Sequence, residues 1–548
     1  MKTMKKSIRN AAFCLLAVST IVSCTQKSRH YGGINPDKSS YPSGEMHIYE
    51  GAKMDVQKGI NFGEPVFNNG IGDSTNFNTE EYAGIVENPF MSSSENPLST
   101  FSIDVDNASY SNVRRYIRDM KQMPPEGAVR IEEMINYFDY EYKNPTGQHP
   151  FSITTEVGTA PWNKDHQLVH IGIQGKKPDF KNLKRNNLVF LIDCSGSMSV
   201  DNKLPLLKKS LNLLLNQMSE NDKVSIVAYA GAAGLILPPT IASEKNKILD
   251  ALERLNAGGS TAGGEGIELA YKTAKNAFIA DGNNRVILCT DGDFNVGVSS
   301  TDQLIKLIEA KRKENIFITA CGFGMGNYKD NRMEEIAKNG NGNYFYIDDI
   351  REAKKVFERE MHANMFAIAK DVKIQIEFNP NLVKAYRLIG YENRIMNKED
   401  FDDDTKDAGE LGSGHNVTAI YEIIPVGSAS AQEIKKSASL KYQQTTVANN
   451  ASDLMTVKFR YKPLKSDESI LIEEVLKKTD LTQIDKTSEN FRFSAAVAGF
   501  GMILRNSEFK AGLNYDMVEN LATGSLGADK HGDRADFIAL LRIAKQLQ

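Results

Sequence analysis

Leu188-Val189-Phe190-Leu191-Ile192-Asp193-Cys194-Ser195-Gly196-Ser197 is a run of five apolar residues followed by one carboxylate and two hydroxyls at alternating positions. An uninterrupted apolar run of strand length has no polar face, so it predicts a strand buried on both sides. The same pattern continues outward. Apolar strand-like runs at 224–229, 286–289, 316–320 and 345–347 alternate with helical periodicity at 203–218, 245–255, 264–278 and 301–313. Such alternation predicts a doubly wound, mostly parallel α/β sheet covered on both faces, spanning 183–365. In a sheet of order 3-2-1-4-5-6, strands one and four flank the switch point where a crevice opens at the carboxyl ends. Asp193 follows strand one. Asp291, in Cys289-Thr290-Asp291-Gly292, follows strand four, and Thr261 sits in the Gly-rich stretch Gly258-Gly259-Ser260-Thr261.

The first turn lacks Gly-x-Gly-x-x-Gly, and no Gly-x-x-x-x-Gly-Lys-Ser/Thr occurs in the chain, which argues against nucleotide binding. One carboxylate and two hydroxyls at this spacing can instead converge on a hard cation such as Mg²⁺, which takes six oxygens at about 2.0–2.1 Å. A helix cap is the bland alternative for Asp193, Ser195 and Ser197, since Asp and Ser satisfy free N–H groups at helix starts. Asp293 reads as a turn residue. Taken together, Asp193-x-Ser195-x-Ser197, Thr261 and Asp291 resemble the complete metal-ion-dependent adhesion site of von Willebrand factor type A domains. The resemblance implies that both serines bind the metal directly, while Thr261, Asp193 and Asp291 bind directly or through water. Mg²⁺ is the expected ion, with Mn²⁺ or Ca²⁺ possible.

Flanking stretches resemble a narrower group, bacterial lipoproteins of unassigned role that carry this domain. They are Pro97-Leu98-Ser99-Thr100-Phe101-Ser102-Ile103-Asp104-Val105-Asp106, Arg130-Ile131-Glu132-Glu133-Met134-Ile135-Asn136-Tyr137-Phe138 and Asp407-Ala408-Gly409-Glu410-Leu411-Gly412-Ser413-Gly414-His415-Asn416-Val417-Thr418-Ala419. With them the likeness extends over nearly the whole mature chain and brings an architecture without a partner.

The remaining segments fit that picture. Lys2, Lys5, Lys6 and Arg9 precede a short apolar stretch ending in Ile21-Val22-Ser23-Cys24. This reads as an export signal over 1–23, too short to span a bilayer, and resembles a lipobox with Cys24 as the lipidated residue. The expected location is therefore the bacterial cell envelope, anchored by lipid to a membrane. Residues 24–96, rich in Gly, Asn and Ser, read as a flexible tether. Residues 97–145 read as a small α+β module in which Asn107 or Asp106 caps a helix, and in which Asp104-x-Asp106 lacks the rest of a calcium loop. Strand-like alternation at 146–180 and again at 368–465 predicts a β-sandwich into which the α/β block is inserted. Residues 485–548 read as helical.

Composition narrows the function. With 66 basic against 70 acidic residues and no basic cluster, electrostatic capture of nucleic acid is disfavoured. Three cysteines remain in the mature body, Cys194, Cys289 and Cys321, an odd count that argues against a disulfide framework. The acidic run at 399–404 reads as solvated loop charge, His415 as a packed turn residue and Trp162 as a core or edge aromatic. No His-Glu-x-x-His occurs and no histidine lies near the candidate loops in sequence, so a hydrolytic metal site is not indicated. Two carboxylates among neutral hydroxyls leave a divalent ion incompletely neutralised, with a position open to a partner's carboxylate. The expected function is non-enzymatic: a metal-dependent module that binds a protein partner through an acidic side chain. An adhesin-like binder of host matrix or glycan is the alternative, and a metal-dependent hydrolase comes third.

Overall fold

The computed structural model describes residues 79–177, 184–259, 263–292, 294, 301–326, 328–406, 408–432, 434 and 452–548. The export signal with Cys24, the tether as far as 78, Thr261 and Asp293 lie outside the described residues. Three sheets and a helical layer make up the remainder.

The central sheet runs, edge to edge, Tyr344–Ile347, Phe317–Phe323, Asn283–Thr290, Asn186–Asp193, Lys223–Tyr229 and Ala233–Ile241. Every pairing is parallel except the last. Numbered within this block, the order is 3-2-1-4-5-6, which places the strands ending at Asp193 and Thr290 side by side. Alternate residues serve opposite faces, as the pleat requires. Leu188, Phe190 and Ile192 pack with Leu207 and Leu211, while Val189 and Leu191 pack with Ile267, Ala270 and Ala274. Ala233–Ile241 was not foreseen as a strand because Pro238 and Pro239 break its pattern. Proline removes a ladder donor and is tolerated at a sheet edge, where this strand lies.

On both sides of this block in sequence lie the strands of a β-sandwich. One sheet pairs Val383–Ile389, Asn416–Pro425, Gln167–Gly175 and Phe151–Thr159 in that order, and the other pairs Leu98–Ser102, Ala367–Phe378, Asp453–Pro463 and Ile470–Lys477. Val169, Ile171, Tyr386 and Tyr421 from the first meet Phe101, Ile374, Ile376 and Phe459 from the second in one core.

Two expected boundaries differ from the structure. The 97–145 segment is not a free-standing module. Its strand pairs with Ala367–Phe378, Phe101 opposite Ile374, and its helices Ala108–Arg118 and Ile131–Asn136 share a core with the C-terminal helices Glu489–Leu504 and Asp533–Gln546. One five-residue strand and two short helices bury too little surface to stand alone. The last part of the expected tether is also packed. Glu80 pairs with buried Arg115 at 2.8 Å, Asn88 Nδ2 donates to the carbonyls of Leu388 and Gly390, and Met91–Ser92 pairs with Val383–Ile389.

Asn107 occupies the N-cap position of Ala108–Arg118, as expected, but the capping bond comes from elsewhere. Neither Asn107 nor Asp106 caps with its side chain. Glu133 Oε2, from the neighbouring helix, accepts from Ser109 N at 2.9 Å. Asp106 instead accepts from Tyr344 N at 2.7 Å and from Arg394 Nη2 at 3.1 Å. Its carboxylate lies within 4.8 Å of those of Glu133 and Glu334, but Arg130 and Arg394 are threaded among the three, and their guanidinium groups supply the neutralising charge. Among the described residues no helix is long and apolar enough to cross a membrane.

A candidate metal centre at the sheet switch point

Asp193 ends its strand fully buried, and three donors orient its carboxylate: Ser195 N to Oδ1 at 2.8 Å, and Tyr229 and Thr290 hydroxyls to Oδ2 at 3.1 Å each. Burial raises the pKa of this acid, the neighbouring charge of Asp291 raises it further, and the hydrogen bonds oppose both. Ser195 precedes a 3-10 turn, Gly196–Ser199, without capping it through its side chain. The hydroxyl is directed elsewhere: Ser195 Oγ and Ser197 Oγ lie 3.1 Å apart. Ser195 is buried and Ser197 exposed, so the pair opens to solvent on one side.

Asp291 follows Thr290 on the adjoining strand and is likewise fully buried. Gly292 turns the chain there at φ 93°, where an added Cβ would stand 2.8 Å from Lys329 N. The Gly-rich loop reaches the same place through two backbone hydrogen bonds, Gly258 N to Cys194 O at 2.7 Å and Gly196 N to Gly259 O at 3.1 Å. Gly259 has φ 89°, and Thr261 follows two residues later, outside the described residues. Asp193, Ser195, Ser197 and Asp291 are thus brought together at the crevice. All offer oxygen, the donor class a hard divalent cation takes.

One participant was missed in the sequence. Lys203 Nζ donates to Asp291 Oδ2 at 2.8 Å, with both side chains buried. Its stem lies against Gly324, at φ 74°, where a Cβ would stand 2.1 Å from Lys203 Cε. Only the register of the following helix, Leu204–Leu215, turns this lysine inward, and no local motif marks it. Tyr229 and Thr290 were also missed, although each ends a strand beside an expected ligand. Cys289 and Cys321 stand opposite one another on adjoining strands and, with Cys194, are free buried thiols. His415 is half-buried, and desolvation draws its pKa down to about 4. Trp162 is buried, with Nε1 donating to Glu422 at 3.0 Å.

Family models match successive segments of the chain. Residues 76–170 match von Willebrand factor, 187–359 the von Willebrand factor type A domain, and 363–547 the C-terminal region of the uncharacterized protein YfbK. The uncharacterized protein YfbK of Escherichia coli (strain K12) is 40% identical over 474 residues, covering 85% of this chain and 81% of its own length. The chain belongs to the YfbK family. More distant is the magnesium-chelatase 67 kDa subunit of Chlorobaculum tepidum, 24% identical over 235 residues, 38% of this chain and 37% of that one. A von Willebrand factor type A structure from Catenulispora acidiphila is 16% identical, with a TM-score of 0.39 over 72% of this chain and 91% of that one. In this YfbK-family chain the switch point lies within the 187–359 match, and the C-terminal helices lie within the YfbK match.

Proposed function

We propose that this YfbK-family chain is a binding protein rather than an enzyme. Ser195, Ser197, Thr261, Asp193 and Asp291 hold one divalent cation, Mg²⁺ foremost with Mn²⁺ or Ca²⁺ as substitutes, and a protein partner's acidic side chain completes the coordination. The observation that carries this reading is the convergence of two hydroxyls 3.1 Å apart with two buried carboxylates at one switch point. A bound cation would supply the electrostatic grip on the partner's carboxylate. Asp193, with both oxygens already engaged by donors, orients the serine turn. Lys203 already offsets the charge of Asp291, so a loaded site keeps a net positive charge for an incoming acid. Ser195 Oγ shares its hydrogen bond with Ser197 rather than with a histidine, which supports binding over nucleophilic chemistry. The same reading places the chain in the cell envelope, anchored by lipid on Cys24. Moving Cys24→Ala from the membrane to the soluble fraction would support the anchor, and unchanged fractionation would remove it.

The central test is a pull-down from envelope extract with Mg²⁺, with EDTA and with Asp193→Ala. A partner recovered only in the first condition is expected. Equal recovery of every protein in all three would end the proposal.

A further inference from the structure

Arg285 lies near the start of the Asn283–Thr290 strand, six residues before Asp291 and so about 20 Å from the metal centre along the strand. It is 5% exposed. Its Nη1 donates to two neutral oxygens, Thr319 Oγ1 at 2.7 Å and the Asn341 carbonyl at 3.4 Å, and its Nε has no partner. Among the described residues no carboxylate stands within ion-pairing distance of it. That is unusual in this molecule. Arg114, Arg115, Arg130, Arg387, Arg394 and Arg505 are equally buried, and each has a carboxylate. Arg534, with no carboxylate partner among the described residues, donates instead to the oxygens of Ser525, Asp139 and Asn490. A buried charge without an ion pair is costly, and here burial pulls the guanidinium down to about 10, against the opposing field of Glu410.

The surroundings of Arg285 explain what such a charge can serve. It lines a cavity of about 400 Å³ between the α/β sheet and the sandwich, a volume in the range of small-ligand sites. Arg312 and exposed Lys338 join it on the sheet side, and Arg394 and Glu410 stand across from them. Arg394 is committed to Asp106, and Glu410 accepts from Asn341 Nδ2 at 3.2 Å. On the sheet side, buried Arg285 therefore carries a positive charge with no ion-pair partner among the described residues.

We infer that this cavity binds a small oxyanion, a molecule carrying a carboxylate or phosphate group, with Arg285 as its principal partner and Arg312 and Lys338 around it. The ligand would supply the missing counter-charge at the seam between the two units. This site is separate from the proposed metal centre and does not depend on it.

The test uses the full chain, with inorganic phosphate, pyrophosphate and citrate as probes and sodium chloride at matched ionic strength as the control. Titration calorimetry and thermal unfolding should show saturable one-site binding and a rising Tm with at least one oxyanion, and none with chloride. Comparing citrate with the phosphates separates the two chemistries. Arg285→Met should weaken binding about tenfold or more and leave the unliganded Tm unchanged or higher, because an orphaned charge is gone. Lys338→Met, at an exposed position, should weaken it less and carries the test if Arg285→Met does not fold. Asp193→Ala should bind the oxyanion as the parent does, which keeps the outcome distinct from that of the metal centre. The inference is overturned if no probe binds beyond the chloride control, or if both cavity variants bind as the parent does. It is overturned equally if Glu410→Gln and Arg285→Met lower the unliganded Tm alike, since Glu410 would then be the counter-ion.

Discussion

Lys203 and Asp291 meet at 2.8 Å with both side chains buried, and that contact sets the charge a cation would encounter. Truncating one partner of a buried pair leaves the other uncompensated, so Lys203→Met should cost the metal-free protein about 3 kcal/mol. The same change removes a positive charge from beside the cation, so Mg²⁺ should raise the Tm of the variant more than that of the parent. Thermal unfolding with and without Mg²⁺ checks both signs, and an equal or smaller Mg²⁺ shift would contradict the placement of Lys203. Glu132 offers a second residue-scale test, remote from the site. Burial raises its pKa to about 7, Glu392 adds to the rise and Arg505 opposes it, and its Oε2 has no partner. A carboxyl whose folded pKa lies above its unfolded value imposes no penalty when both states are protonated, and imposes it fully once pH exceeds the folded pKa. Glu132→Gln should therefore gain roughly 1 to 3 kcal/mol above pH about 7 and little below the ordinary carboxylate range, as denaturant melts at the two extremes would show.

At the scale of the element, the strand ends and their glycines decide what the side chains can do. Phe317–Phe323 stops before Gly324, whose missing side chain leaves the channel occupied by the Lys203 stem. Gly324→Ala forces a Cβ into a left-handed residue and into that stem. It should lose about 1 to 2 kcal/mol in backbone strain alone and reproduce the enlarged Mg²⁺ response of Lys203→Met. Loss of stability without a changed Mg²⁺ response would mean that the glycine serves only the turn. Elsewhere the sequence was legible to the degree that an element is made by its own residues. The five apolar residues before Asp193 announced a buried parallel strand, and Asp193, Ser195, Ser197 and Asp291 were readable because each follows such a strand or lies in the turn after it. Ala233–Ile241 was not readable, because prolines at an edge look like loop. The acidic run around Asp402 and Asp404, exposed as expected, is also tied down: Arg460 pairs with both at 3.2 Å and Lys373 Nζ donates to the Asp400 carbonyl at 2.8 Å.

Over the whole molecule, the C-terminal helices complete a core begun almost four hundred residues earlier. Glu489–Leu504 is apolar nearly all round, as a helix enclosed on every side must be. Gly501 within it passes so close to Ile131 that an added Cβ would stand 2.8 Å from the side chain. A chain ending at Ser488 would expose Tyr110, Ile131, Phe138 and their neighbours, and should lose its cooperative unfolding transition and aggregate. A soluble truncation melting as sharply as the parent would show the helices to be dispensable.

Local pattern alone made legible the doubly wound sheet and the places of Asp193, Ser195, Ser197 and Asp291 at the ends of its strands, because buried strands and their following turns are encoded by contiguous residues. Only the tertiary structure decided that Lys203 neutralises Asp291, that Glu133 caps a helix other than its own, and that Arg285 is buried with no carboxylate beside it among the described residues. Each depends on which groups tens of residues away come close in space, and charge compensation in a low-dielectric interior is settled by that distance, which neither spacing nor periodicity records.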